Sequence, residues 1–140
     1  MPLHDTLFTL ANIAILPFWA LMILAPRWKV TDRVMRTLWP VVLVATLYLI
    51  AIFSGGVDFS RLSLDLNGIA DLLGSPGGAA TAWLHMLAFD LFVGRWAYLD
   101  SRERNLPVWI TSPALFFVLL MGPFGLLLYL AGRGWWERRR

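Results

Sequence analysis

Four apolar segments alternate with short polar stretches along the 140 residues. The first, about 6–25, reads TLFTLANIAILPFWALMILA, and the second, about 35–53, contains PVVLVATLYLIAIF. The third covers about 79–99, and the fourth, 107–132, reads PVWITSPALFFVLLMGPFGLLLYLAG. Each comes close to the ~20 residues that span ~30 Å of hydrocarbon at ~1.5 Å per residue. The pattern predicts an all-α polytopic membrane protein, one domain over 1–140, built as a four-transmembrane-helix bundle. Between the second and third segments Phe59, Leu62, Leu66, Ile69 and Leu73 recur at helical spacing, opposite Asp58, Arg61, Asp65 and Asp71. That spacing predicts a short amphipathic helix over about 58–73, lying on the membrane surface or capping the bundle. GSPGG at 74–78 ends it, and the other two connections, PRWKVTDR and DSRERNLP, are short charged loops.

Composition agrees with the pattern: 59% of residues are hydrophobic and 15% charged, and the mean hydropathy is +0.66. The pI near 10.0 does not indicate nucleic-acid binding, because the basic residues flank apolar segments, where they anchor helix ends at headgroups. With four crossings, one side carries Arg27, Lys29, Arg33, Arg36, Arg102 and Arg104; the other carries Arg61, Arg133, Arg138, Arg139 and Arg140. Six against five barely sets an orientation, and the near balance leaves dual-topology insertion open. There is no basic leader before the first segment and no plastid-type transit segment, which points to a bacterial inner or photosynthetic membrane.

The third segment carries the chemistry. Within it HMLAFDLFVGRW places His85, Asp90 and Arg95 in an otherwise apolar stretch. A charge at the middle of a span costs about 2.5–3.5 kcal/mol, so Asp90 needs a partner, a proton or water. At ~100° per residue, a five-residue step turns the helix by roughly 140° net, so the three side chains point in three directions. No side of this helix is free of polarity, and it belongs at the centre of the bundle. Partners must come from other segments. Asn12 and the carbonyl freed by Pro17 offer one wall, and the GPFG break at 122–125 offers another. Trp19, Trp83, Phe89, Phe92, Trp96 and Phe124 are the aromatic candidates for contact with an apolar ligand. Arg95 either snorkels to the interface or leans back toward Asp90.

Several chemistries are excluded. The chain has no cysteine, and its two histidines, His4 and His85, cannot assemble a histidine-rich di-iron site. No glycine-rich phosphate loop is present, and no metal or cofactor is expected. What remains is proton chemistry by Asp90 and His85 with Arg95 stabilising negative charge, or binding of an apolar ligand at a polar spot.

Four stretches together carry a family resemblance: LPFWALMILAPRW, TDRVMRTLWPVVLVATLYL, AWLHMLAFDLFVGRWAYLDS and LLMGPFGLLLY. They resemble the abscisic acid-deficient 4 family, the neoxanthin-synthase-related membrane proteins, over nearly the whole chain; the block at 82–95 is the most specific. The resemblance implies carotenoid metabolism: conversion of violaxanthin to neoxanthin, an isomerisation in which an epoxide opens and a proton is lost. It implies Asp90 as the proton-handling carboxylate, His85 as its complement, and Arg95 as a fixed positive charge near Asp90. Three functions stay open: a carotenoid or isoprenoid isomerase, a pigment-binding or accessory subunit of a photosynthetic or retinal-type complex, and a small proton-coupled transporter. The expected partners are the lipid bilayer, an apolar ligand such as a carotenoid, and a further copy of the chain or a pigment–protein complex.

Overall fold

The computed structural model describes residues 2–140, and among them all regular structure is helical. Helix α1 covers Leu3–Leu24, α2 Lys29–Arg36, α3 Trp39–Ala51, α4 Leu66–Gly74, α5 Pro76–Glu103 and α6 Val108–Arg138. By length and apolar composition two of these, α1 and α6, suffice to cross a membrane, not the four expected. The bent pair of α2 and α3, meeting at 50°, makes a third if it is taken as one span. Its α3 alone, at 13 residues, reaches only about 20 Å. Although α5 is long enough, His85, Asp90 and Arg95 dilute its apolarity.

The central place expected of the third segment is observed: α5 packs against α1, α3 and α6. Its start is encoded locally. Ser75 caps it by accepting a hydrogen bond from the Gly78 amide at 3.0 Å, and Pro76 fills the first helical position. α1 runs parallel to α5, with Phe8 beside Trp83, Trp19 over Gly94, and Pro26 accepting from the Tyr98 hydroxyl at 2.9 Å. α3 runs antiparallel to α5, with Thr37 near Arg95 and Tyr48 near His85. Pro17 does not interrupt α1, which continues through it.

Two connections differ from expectation. The basic first loop is mostly helix α2, seated by buried Thr31 and Met35; the Thr31 hydroxyl donates to the Ala25 carbonyl at 2.8 Å. The amphipathic helix expected over 58–73 is instead a 3₁₀ turn, Phe59–Arg61, an extended link and α4. Its own polar residues divide it: Asp58 accepts from the Ser60 amide, and Asp65 caps α4 by accepting from the Gly68 amide at 2.7 Å. The Ser60 hydroxyl and amide hold the exposed Asp58 carboxyl below the usual carboxylate range. Before that turn, α3 ends in a π-turn over Ile52–Gly56, where Gly55 takes φ +91°, a left-handed conformation suited to glycine.

The larger correction concerns the fourth segment. α6 does not run straight through the bundle: at Met121 and Gly122 the backbone leaves helical geometry and the chain folds back. Residues 108–120 form one arm and 123–138 the other. The arms lie side by side, with Trp109 edge-on to Trp135 and Trp136, Ile110 beside Gly132, and Phe117 edge-on to Phe124. The first arm runs antiparallel to α5 and the second parallel to it, so Tyr129 and Arg133 come to Asp100. At ~1.5 Å per residue the arms are about 20 Å and about 24 Å long, and the tip lies beside Asp90 at the middle of α5.

Candidate functional site

The fold-back brings broken backbone to the one acidic side chain in the middle of α5. A cavity of about 430 Å³ opens there, lined by Trp83, His85, Met86, Phe89 and Asp90 of α5 and by Leu119–Pro123 of the tip. Asp90 is half-buried. No hydrogen-bonding or charged neighbour acts on its carboxyl among the described residues. Gly122 is what permits the approach: a Cβ at that position would overlap Asp90 Oδ1. Pro123 has no amide to give, so the carbonyl of Leu119, one turn back, has no helical partner on the cavity wall. The second arm also begins here, beside Asp90.

His85 stands on the opposite rim. Its ring lies 4.8 Å from Phe89 and 5.5 Å from Tyr48, edge-on, so its neighbours are aromatic. Thus His85 and Asp90 share one cavity although they sit 140° apart on the helix, because Phe89 and Met86 between them form its floor. Arg95 takes the third direction and leaves the cavity. Its Nε donates to the Thr37 carbonyl at 2.9 Å and Nη2 to the Arg36 carbonyl at 3.2 Å. It therefore ties α5 to the corner between α2 and α3, where two carbonyls at a helix end need donors, rather than facing Asp90.

The aromatic candidates divide in the same way. Trp83 is a wall of the cavity, and Asn12 holds it there: the indole Nε1 donates to Asn12 Oδ1 at 3.1 Å, while Asn12 Nδ2 donates to the Phe8 carbonyl. Phe89 also lines a second apolar cavity of about 220 Å³ between α3 and α5, with Phe92, Val41, Ala45 and Ala88. Trp19 is buried in the core against Gly94, away from both cavities. Trp96 packs edge-on against Tyr129, and Phe124 packs against Phe117 on the α6 hairpin.

One polar cluster went unread in the sequence. Asp100 accepts from Arg104 Nε at 2.8 Å, from the Tyr129 hydroxyl at 2.6 Å and from Arg133 Nη1 at 3.1 Å. Arg104 also pairs with Glu137. The cluster clasps the second arm of α6 to α5. Its signal was present as two i,i+4 pairs, Asp100 with Arg104 and Tyr129 with Arg133, but nothing in either pair says that the two meet.

A family model for ABA DEFICIENT 4-like proteins matches residues 6–129. The chain belongs to the ABA DEFICIENT 4-like family. It is 29% identical over 131 residues to Protein ABA DEFICIENT 4, chloroplastic, of Arabidopsis thaliana, an alignment covering 88% of this chain and 58% of that relative. The chain thus spans less than two thirds of the relative's length. No solved structure matches it. The stretch shared with the ABA DEFICIENT 4-like family holds His85, Asp90 and the tip of α6, and ends at Tyr129, before Arg133 and Glu137 of the clasp.

Proposed function

We propose that this protein isomerises an apolar polyene of the carotenoid or isoprenoid class within the membrane, without net oxidation or reduction. The carrying observation is Asp90, a carboxyl with no hydrogen-bonding or charged partner among the described residues, at an aromatic-walled cavity beside a break in the opposing backbone. A buried charge kept only for packing is paired; this one faces the space a ligand would fill. The resemblance to neoxanthin-synthase-related proteins supplies the reaction type. One group gives a proton to an epoxide oxygen as its C–O bond breaks, and another removes a proton from carbon, so proton number and oxidation state balance. Asp90 and His85 rim the cavity from opposite sides of Phe89, which suits these two roles. Arg95 positions the helix instead of touching the reacting atoms. Asp90→Asn should lower product formation on the order of 10²- to 10⁴-fold while the protein remains folded in the membrane. Pigment extraction from cells fed the epoxide, with chromatographic separation of the isomers and their absorption spectra, reads this out, and unchanged product refutes the assignment.

A second reading has its own support, in the two cavities that share Phe89. Together they form an apolar track along α5 on which a polyene could rest unreacted. In that case the purified protein carries a visible absorption band that survives Asp90→Asn and is lost in a Phe89→Ala, Phe92→Ala double variant. A colourless preparation from pigmented cells removes this reading.

The fold supports a membrane placement in which α1 and the α2–α3 pair cross, α5 crosses with them as the helix they surround, and α6 enters and leaves by one end as a re-entrant hairpin whose broken backbone is sheltered at the cavity. Eleven of the twelve Lys and Arg residues then belong to that end, with Arg61 alone at the other. Such a bias supports that end facing the cytoplasm or its equivalent. Because the chain has no cysteine, single variants can be labelled directly. Lys29→Cys and Arg140→Cys should react from one face, and Ser60→Cys from the other; a four-crossing bundle would label residue 140 together with residue 60.

A further inference from the structure

The basic end of the bundle carries an open cleft. A cavity of about 510 Å³ lies between the start of α2 and the end of α5, lined by Arg27, Lys29, Arg33, Arg36 and Arg102, with Asp32 and Glu103 as its acids. Asp32 is committed to Arg36 at 2.8 Å. Arg27, Lys29, Arg33 and Arg102 make no ion pair among the described residues. Four cations therefore face one space with a single uncommitted carboxylate, Glu103, between them.

The walls are fixed by contacts that also hold the helices together. Thr31 ties α2 to the end of α1, Tyr98 binds the Pro26 carbonyl, and Arg95 binds the carbonyls of Arg36 and Thr37. All three hold the backbone that carries the cations, so like charges are kept together instead of spreading apart. The position is equally specific. The cations begin three residues beyond the end of α1, where Leu24 is 80% exposed, and Trp28 on the cavity rim is 55% exposed. An apolar flank, an indole at the rim and a cationic hollow form a layered surface suited to the interface of a membrane.

We propose that this cavity binds the phosphate of an anionic phospholipid, with the acyl chains lying along the exposed apolar flank of α1. Arginine and lysine donors match phosphate oxygens, and Trp28 sits at the level of the glycerol. The bound lipid neutralises the cations that α1, α2 and α5 bring together, and so holds the corner between α2 and α3 on the bundle.

The test uses the full-length protein exchanged from detergent into nanodiscs of equal phosphatidylglycerol and phosphatidylcholine, then released for mass measurement of retained lipid. The wild type should retain phosphatidylglycerol over phosphatidylcholine. Lys29→Gln and Arg102→Gln should each weaken retention roughly fivefold, and a triple variant adding Arg33→Gln should weaken it on the order of a hundredfold. Arg61→Gln, at the other end, should leave it unchanged, and circular dichroism should show equal helix content in every variant. Equal retention of phosphatidylcholine, or retention in the single variants equal to wild type, overturns the proposal. So does displacement of the lipid by inorganic phosphate at matched concentration, which would assign the cavity to free phosphate.

Discussion

Gly122 meets the Asp90 carboxylate where any side chain would collide with it. Gly122→Ala should therefore turn the Asp90 carboxyl aside or push the α6 tip off α5, costing about 1–3 kcal/mol of stability and altering the cavity wall. Thermal unfolding in detergent measures the first effect, and loss of product or bound pigment the second; an unchanged midpoint would show that the tip is not packed there. Asn12 makes a milder case. Asn12→Leu removes the acceptor of the Trp83 indole and should cost about 1 kcal/mol, with the larger effect on ligand binding because Trp83 is a wall. At this scale the sequence was informative. The 140° steps between His85, Asp90 and Arg95 foretold that no single face holds all three, and Asn12 was identified as an opposing polar group. The helix geometry could not say that Arg95 would reach carbonyls at the α2–α3 corner, because those carbonyls are backbone and leave no mark in composition.

Helix α6 shows what hydropathy omits. A running average over 107–132 is insensitive to direction, so a segment that goes in and one that returns score as one continuous span. GPFG announced a break, but a kink and a reversal share that signature. The reversal is decided by contacts between distant residues: Trp109 with Trp135 and Trp136, and Asp100 with Tyr129 and Arg133. The same scale governs the divided loop helix, where Asp65 serves as a cap and not as a position on a polar face. Since the Asp100 cluster fastens the second arm, Asp100→Asn or Tyr129→Phe should destabilise that arm by about 1–3 kcal/mol. Hydrogen exchange should rise over 123–138 and stay unchanged in α1; uniform change across all helices would mean that the clasp serves the whole bundle.

For the whole molecule, reversal of one helix rearranges the charge. An apparent six-to-five balance becomes ten to one over the same eleven residues once the second arm of α6 returns to the end it left. Membership of the ABA DEFICIENT 4-like family was legible from motifs around Asp90 and GPFG. That the two motifs meet in space became visible only in the fold, where Gly122 lies against Asp90. The hairpin also sets an order of events during synthesis. α5 leaves the ribosome before α6, so a chain halted at residue 106 presents Asp90 to hydrocarbon without its cover. The nascent protein must then keep that carboxyl hydrated, or sheltered by the insertion machinery, until the tip of α6 arrives. Completion of the site is then a docking step that follows insertion of α5, and the bare groove that α5 presents alone becomes a walled cavity, still open on one side, once the tip arrives.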